Sequence, residues 1–239
     1  MRGYRLLLFV LATCAMVFAI AKARTHEFVP VYLNGRLFHM PVEKVISDAP
    51  MWARVFPRRY SGQNGLIIVF GAEELQSKIP SYIKQIGNYK TDSVVSVAAL
   101  TVDQAERLRD PNYPLYRDAC KWEGKYNEQQ VEYDDASGVY KVTNPKYNFY
   151  WSALRIRPDP EAAMPGNVND FWVAHCRVTE SPNASRAVLT ICHSGGVYKN
   201  DIYFDFRING ENLVHYEAMR EFILEQLSSW EENKKSSEL

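Results

Sequence analysis

Neither sign of charge is in excess. Lysine plus arginine and aspartate plus glutamate both total 28, so the net charge is zero with histidine neutral. A general nucleic-acid binder needs a basic surplus to neutralise phosphates, and no nucleic-acid partner is expected. Glycine and proline number only 12 each in 239 residues, which excludes collagen-like and proline-rich filaments. There is no Gly-x-Ser-x-Gly elbow, no His-Glu-x-x-His, no P-loop and no dinucleotide fingerprint. The four cysteines show no Cys-x-x-Cys or paired Cys/His spacing, which argues against zinc. No metal, cofactor or catalytic residue is assigned.

What is present is ordinary globular material. Hydrophobic residues make up 46% and charged residues 23%, the balance of a folded domain and not of a disordered chain. Aromatics reach 13%, with 15 tyrosines, which suits a β-rich domain or a recognition surface.

The one long apolar run is Leu6 to Ala21, between Arg2 and Arg5 on one side and Lys22 and Arg24 on the other. This is the plan of a secretory signal, with small-x-small sites at Ala19-Ile-Ala21 and Ala21-Lys-Ala23. The run is shorter than the roughly 20 residues that span a bilayer. Residues 1–23 therefore read as a signal peptide or as an uncleaved N-terminal anchor attached through residues 6–21. Leu11-Ala-Thr-Cys14 is a loose lipobox, but threonine before the cysteine is unusual there. Arg2 and Arg5 stay cytoplasmic by the positive-inside rule. The rest is expected in the periplasm, free or held at the inner membrane facing it. Without residues 1–23 the charge becomes about −3, which gives no general attraction to anionic lipid.

Cys120, Cys176 and Cys192 remain beyond the signal. Phe171–Glu180 and Arg186–His193 read as strands joined by the turn composition Ser181-Pro-Asn-Ala-Ser185. A hairpin centred on Ala184 places Cys176 opposite Cys192, where a disulfide would stabilise the fold by about 3 kcal/mol in the chain-entropy model. Cys120 is then a buried free thiol or an alternative partner. Three free cysteines are the competing reading.

Elsewhere, Val29–Leu33 and Arg36–Met40 flank Asn34-Gly35, a strong hairpin signal. Leu66–Phe70 and Ser93–Leu100 read as strands, and Ala72–Ile86 as partly helical up to Pro80. Thr101–Leu108 reads as a short helix capped by Thr101. Lys125–Gly138 reads as a loop, Gly138–Thr143 and Tyr147–Arg157 as strands, and 157–170 as a long proline-rich loop. Ile202–Ile208 alternates cleanly, with Ile202, Phe204, Phe206 and Ile208 on one face. Leu213–Trp230 is amphipathic, with Tyr216, Met219, Ile223, Leu227 and Trp230 at helical spacing, before a polar tail, 231–239. The expected fold is α+β, a mostly antiparallel sheet with the C-terminal helix on one face. Residues 24–230 form one domain, or two subdomains meeting near 110–145.

Candidate chemistry is sparse. His193-Ser194-Gly195-Gly196 reads as a solvated turn at a strand end, and adjacent strand residues point apart, which separates base from nucleophile. His175, Arg177 and Asp170 read as exposed polar residues on an edge. Asp134-Asp135 lacks the spacing of a calcium loop. Binding residues are richer. Trp52, Arg54, Phe56, Arg58, Arg59 and Tyr60 crowd one loop-like segment, and these residue types dominate interface hot spots. The alternative is that Trp52 and Phe56 anchor that segment to the core. The 157–170 loop is a second partner-binding candidate.

The export signal, the early "VPVYLNGRLFHMPVEKVI" segment, the Cys176–Cys192 hairpin, the alternating strand and the closing "LVHYEAMREFILEQLSSW" together form a pattern. It resembles periplasmic immunity-type proteins encoded beside type VI secretion phospholipase effectors, over residues 28–45 and 171–230. The resemblance implies a non-enzymatic periplasmic binding protein whose partner is a toxin or effector. A membrane-anchored envelope assembly or secretion-associated structural factor is the alternative. A hydrolase using His175 or His193 is the third.

Overall fold

The computed structural model describes residues 28–46, 65–121, 130–144, 146, 149–180 and 188–232. The signal or anchor segment, the tail beyond 232, and the 47–64 stretch carrying Trp52, Arg54, Phe56, Arg58, Arg59 and Tyr60 lie outside the described residues. Among the described residues no helix is long and apolar enough to cross a membrane.

The chain opens with a hairpin of β1 (Phe28–Leu33) and β2 (Arg36–Pro41). Its turn residues Asn34 and Gly35 have φ of 47° and 72°, positive values that asparagine and glycine tolerate and that match strand twist. Next come β3 (Val45–Ile46), β4 (Gly65–Phe70) and helix α1 (Ala72–Lys78). A small hairpin follows, β5 (Gln85–Ile86) with β6 (Tyr89–Lys90), and then β7 (Ser93–Ala99). Helix α2 (Val102–Arg109) starts with a capping box, in which Thr101 accepts from the Gln104 amide and the Gln104 side chain accepts from Thr101 N–H. Helix α3 (Pro114–Lys121) is next.

The second half supplies β8 (Val131–Asp134), β9 (Val139–Thr143), β10 (Tyr150–Leu154), β11 (Trp172–Glu180), β12 (Val188–Tyr198) and β13 (Ile202–Asn209). A 3-10 turn, Gly210–His215, leads into the closing helix α4 (Tyr216–Trp230). Among the described residues nine strands form one sheet in the order β3-β4-β7-β13-β12-β11-β10-β9-β8. Every neighbouring pair runs antiparallel.

Period-two alternation decides the faces. Ile202, Phe204, Phe206 and Ile208 of β13 are buried and lie beside Tyr198, Gly196, Ser194 and Cys192 of β12. α4 covers this face with Met219, Ile223 and Leu227, in the same core cluster as the β13 residues. Each large side chain so buried contributes about 1.5–3 kcal/mol relative to exposure. The Phe70 ring meets Phe222 edge-on at 4.9 Å and stacks with Trp230 at 6.1 Å. The β1–β2 hairpin docks at the end of α4, where Glu232 N–H donates to Leu37 O at 2.8 Å. Arg36 pairs with Glu231 at 3.0 Å.

The opposite face has its own small core. Tyr116, Ala119 and Cys120 of α3 pack with Val142, Leu154 and Phe171. The sheet is therefore covered on both faces, with α4 on one and α3 on the other.

Several expectations change. β8 lies inside the segment read as a loop, because its two central residues are exposed and it has no buried face to signal itself. It forms by pairing with β9, with Tyr133 against Tyr140 at 4.9 Å. α3 was not anticipated. It spans only eight residues among turn-forming Asp110, Pro111, Asn112 and Pro114, although proline at a first helical position is favourable. β12 runs through His193-Ser194-Gly195-Gly196 to Tyr198, so that segment is mid-strand and not a solvated turn. α4 begins at Tyr216, three residues after Leu213.

Candidate functional site

Cys176 and Cys192 sit directly opposite each other on β11 and β12 and are joined by a disulfide, with Cα atoms 3.9 Å apart. Toward the far end of the hairpin the two strands separate. Their ladder stops at His175↔His193. β12 goes on pairing with β13 as far as Tyr198↔Ile202, while β11 follows β10 through an irregular register to Leu154↔Trp172. The Ser194 hydroxyl bridges the parting by donating to Val173 O at 2.6 Å. A cavity of about 500 Å³ opens where the strands diverge.

The cavity is walled from both faces of the sheet. His175, His193, Tyr203 and Asp205 come from the face that α3 covers, and Tyr216 and Arg220 from α4 on the other. Arg155, just after β10, and Trp172 add to the wall. Tyr113 and Leu115, 41% and 45% exposed, sit at the mouth. Gly195 and Gly196 line it as well, where neighbouring groups leave no room for a side chain. A Cβ on Gly195 would lie 2.4 Å from Phe204 O.

The electrostatics are uneven. The Arg155 guanidinium lies 4.9 Å from the Tyr216 ring centroid and pairs with Glu217. That hydrogen bond from Arg155 holds the Glu217 carboxyl below its usual range. His193 Nδ1 lies 3.1 Å from Asp205 Oδ1. Burial, and then the neighbouring His193, hold His175 below its usual value. Burial pushes the hydroxyls of Tyr203 and Tyr216 up, so both stay protonated donors at neutral pH. Among the described residues, three nitrogens packed behind the wall, Arg155 Nε, Arg220 Nε and His175 Nδ1, have no hydrogen-bond partner.

No pattern in the sequence marks this cavity. His175 is not an exposed edge residue. β11 is an interior strand, and the His175 ring stacks on Tyr150 at 5.5 Å. His193 and Ser194 do point apart, the first toward Asp205 and the second toward Val173 O. Asp134 pairs with Lys141 at 3.1 Å. Among the described residues no cluster of three or more His, Cys, Asp or Glu side chains is placed to hold a metal ion. In the 157–170 loop, Asn167 caps a short 3-10 turn, Val168–Asp170, and Asn167 and Val168 reach the cavity wall. The available signals were the Gly195-Gly196 pair inside an apolar run and the aromatic Tyr113-x-x-Tyr116. Neither reveals that two paired strands part there.

No family model matches the chain. No curated protein matches it. Among solved structures, an immunity protein of the Stenotrophomonas maltophilia type IV secretion system is similar over 87% of this chain and 94% of its own, with 12% identity and a TM-score of 0.45. A likeness of that degree assigns neither family nor function.

Proposed function

We propose that this protein is an exported, non-enzymatic binding protein of the immunity type, which neutralises a secreted antibacterial effector by docking on it through the cavity where β11 and β12 part. The observation that carries this reading is the composition of that cavity. Arg109, Arg155 and Arg220, from three separate parts of the chain, and the rings of Trp172, Tyr203 and Tyr216 converge there, and arginine, tyrosine and tryptophan are the residues that concentrate binding energy at protein interfaces. The disulfide beside the cavity restrains its two central strands, so little ordering entropy is lost on docking. The same disulfide supports an oxidising, periplasmic compartment, in keeping with the signal-like residues 1–23. The 47–64 segment, with its own arginines and aromatics, is a second contact surface in this reading. The secretion system is type VI in the sequence resemblance.

The test is protection. The full chain is expressed in a host into whose periplasm the product of the neighbouring effector gene is directed. Growth restored by the chain, with the two proteins co-purifying from the periplasm, is the expected result. Growth no better than with an empty vector, while the chain accumulates in the periplasm, overturns the reading. Recovery of the chain in the cytosol with its thiols reduced overturns the export half of it.

A further inference from the structure

We infer that the opening between β11 and β12 is a slot for one extended segment of the effector, which adds to β12 as a strand at Gly195 and Val197. That the segment belongs to an effector rests on the reading above. The preference for extended backbone rests on the two strands themselves.

Alternation along β12 sets which way its main chain faces. The Cα atoms of Cys176 and Cys192 are 3.9 Å apart, the close approach of an opposed pair that exchanges no main-chain hydrogen bonds. The N–H and C=O of Cys192 therefore point away from β11, toward β13, and those of His193 point to β11. Ser194, Gly196 and Tyr198 turn to β13 in the same way, while Gly195 and Val197 turn their N–H and C=O to the β11 side. Among the described residues the β11–β12 ladder ends at His175↔His193, so no rung joins Gly195 or Val197 to β11. Val173 follows the same alternation on β11. Its carbonyl faces β12 and accepts from the Ser194 hydroxyl at 2.6 Å. The register with β10 passes from Ala174 directly to Trp172, which makes Val173 an extra residue, and such a bulge bends its strand aside.

Two N–H and two C=O groups thus stand along one edge of β12, on residues about 7 Å apart. They can be reached. Gly195, Gly196 and Val197 are all partly exposed, a glycine has only main chain to expose, and glycine inside a strand suits close approach of another backbone. The walls fit the same occupant. A strand lying in the plane of the sheet sends alternate side chains to opposite faces. This cavity is walled by Tyr216 and Arg220 on one face and by His175, His193 and Tyr203 on the other. Main-chain bonds to β12 then supply affinity, and the two walls choose the side chains.

The experiment uses the full chain. Amide hydrogen exchange, corrected for intrinsic rates, is read by NMR first without a ligand. Gly195 and Val197 are expected to exchange at least about tenfold faster than Ser194 and Gly196, whose N–H groups face β13. Equal protection of all four overturns the inference. A library of displayed linear peptides is then selected on the chain, and the tightest peptide is added. It is expected to slow exchange at Gly195 and Val197 by at least about tenfold. N-methylation of its amides is expected to abolish binding at alternate positions and spare it at the others. A bound peptide that leaves both amides unprotected overturns the inference, as does N-methylation that acts equally at every position, or a selection that yields no peptide. Val197→Pro removes one donor that faces the opening and none that faces β13, and is expected to weaken the peptide at least about tenfold. The N-methyl series decides the matter should that variant fail to fold. The protection assay separates the two readings. If the wild-type chain protects and a folded V197P chain protects equally, the strand slot is wrong and the immunity reading stands. If the wild-type chain gives no protection but a peptide protects both amides, the reverse holds.

Discussion

A Cβ at Gly196 would lie 3.1 Å from Arg220 Nε and 2.9 Å from the Phe204 ring, so β12 and α4 approach each other here only because position 196 carries no side chain. Gly196→Ala is therefore expected to destabilise the fold by about 1–3 kcal/mol, the usual penalty of overpacking a filled site. Urea unfolding checks it. An unchanged midpoint means that the ring and the guanidinium move aside freely.

The disulfide makes a separate prediction. Cys176 and Cys192 are 16 residues apart and both fully buried. The double change to serine is expected to lower stability by about 3 kcal/mol through the freed loop, plus the penalty of burying hydroxyls. The double change to alanine isolates the first contribution. Equal unfolding midpoints for oxidised wild type and the alanine pair would show that the crosslink restrains nothing.

Cys120 is the one free thiol among the described residues and is 3% exposed. Burial pushes its pKa up to about 12, so almost no thiolate exists at neutral pH. Iodoacetamide should leave Cys120 unmodified in the folded protein and label it rapidly in denaturant. Labelling of the native protein at a model-thiol rate would contradict the packing of α3.

Glu231 ties the first hairpin to the last helix. It accepts from Tyr198 Oη at 2.5 Å, Lys199 Nζ at 2.6 Å and Arg36 at 3.0 Å. Burial alone would raise its pKa, but the hydrogen bonds from Lys199, Tyr198 and Arg36 outweigh that and hold it at about 2, against an ordinary 4.5. A depressed carboxyl lends stability that is complete above about 4.5 and disappears as pH falls through about 2. The Tm gap between wild type and Glu231→Gln should be full at pH 6 and shrink steadily below pH 4.5. A gap independent of pH would show that the charge on Glu231 contributes nothing.

His175 predicts a dependence in the other range. Its pKa is lowered from an ordinary 6.5 by burial and by His193. The unfolded chain then binds a proton more readily than the folded one, so stability declines as pH falls below about 6.5. Tyr150 stacks on the ring, and His193 is its cross-strand neighbour. His175→Phe should flatten this decline between pH 7 and 5, read as Tm. An identical profile in the variant would remove His175 from the account.

Local patterns were legible where local physics decides. The Asn34-Gly35 turn, the Thr101 cap, the alternation of β13 and the apolar stripe of α4 each follow from residues a few positions apart, whose conformational preference and burial agree. The Cys176–Cys192 register was legible for the same reason, because a hairpin fixes which residues face each other. β8 and α3 were not. β8 gains its hydrogen bonds from β9 and buries almost nothing of its own, and α3 is too short for periodicity to rise above the turn residues around it.

The sequence by itself determined the α+β class, the cross-strand cysteine pair and the helix that closes the sheet, because these depend on side-chain period and chain reversal. Only the tertiary structure decided that β11 and β12 separate beyond His175 and His193, and that Arg155 and Arg220 meet in the opening. Those residues are 65 positions apart, and neither carries any local signal of the other. Their meeting depends on how far one strand follows β10 while its neighbour follows β13, a competition between two sheet partners that no short window of sequence contains.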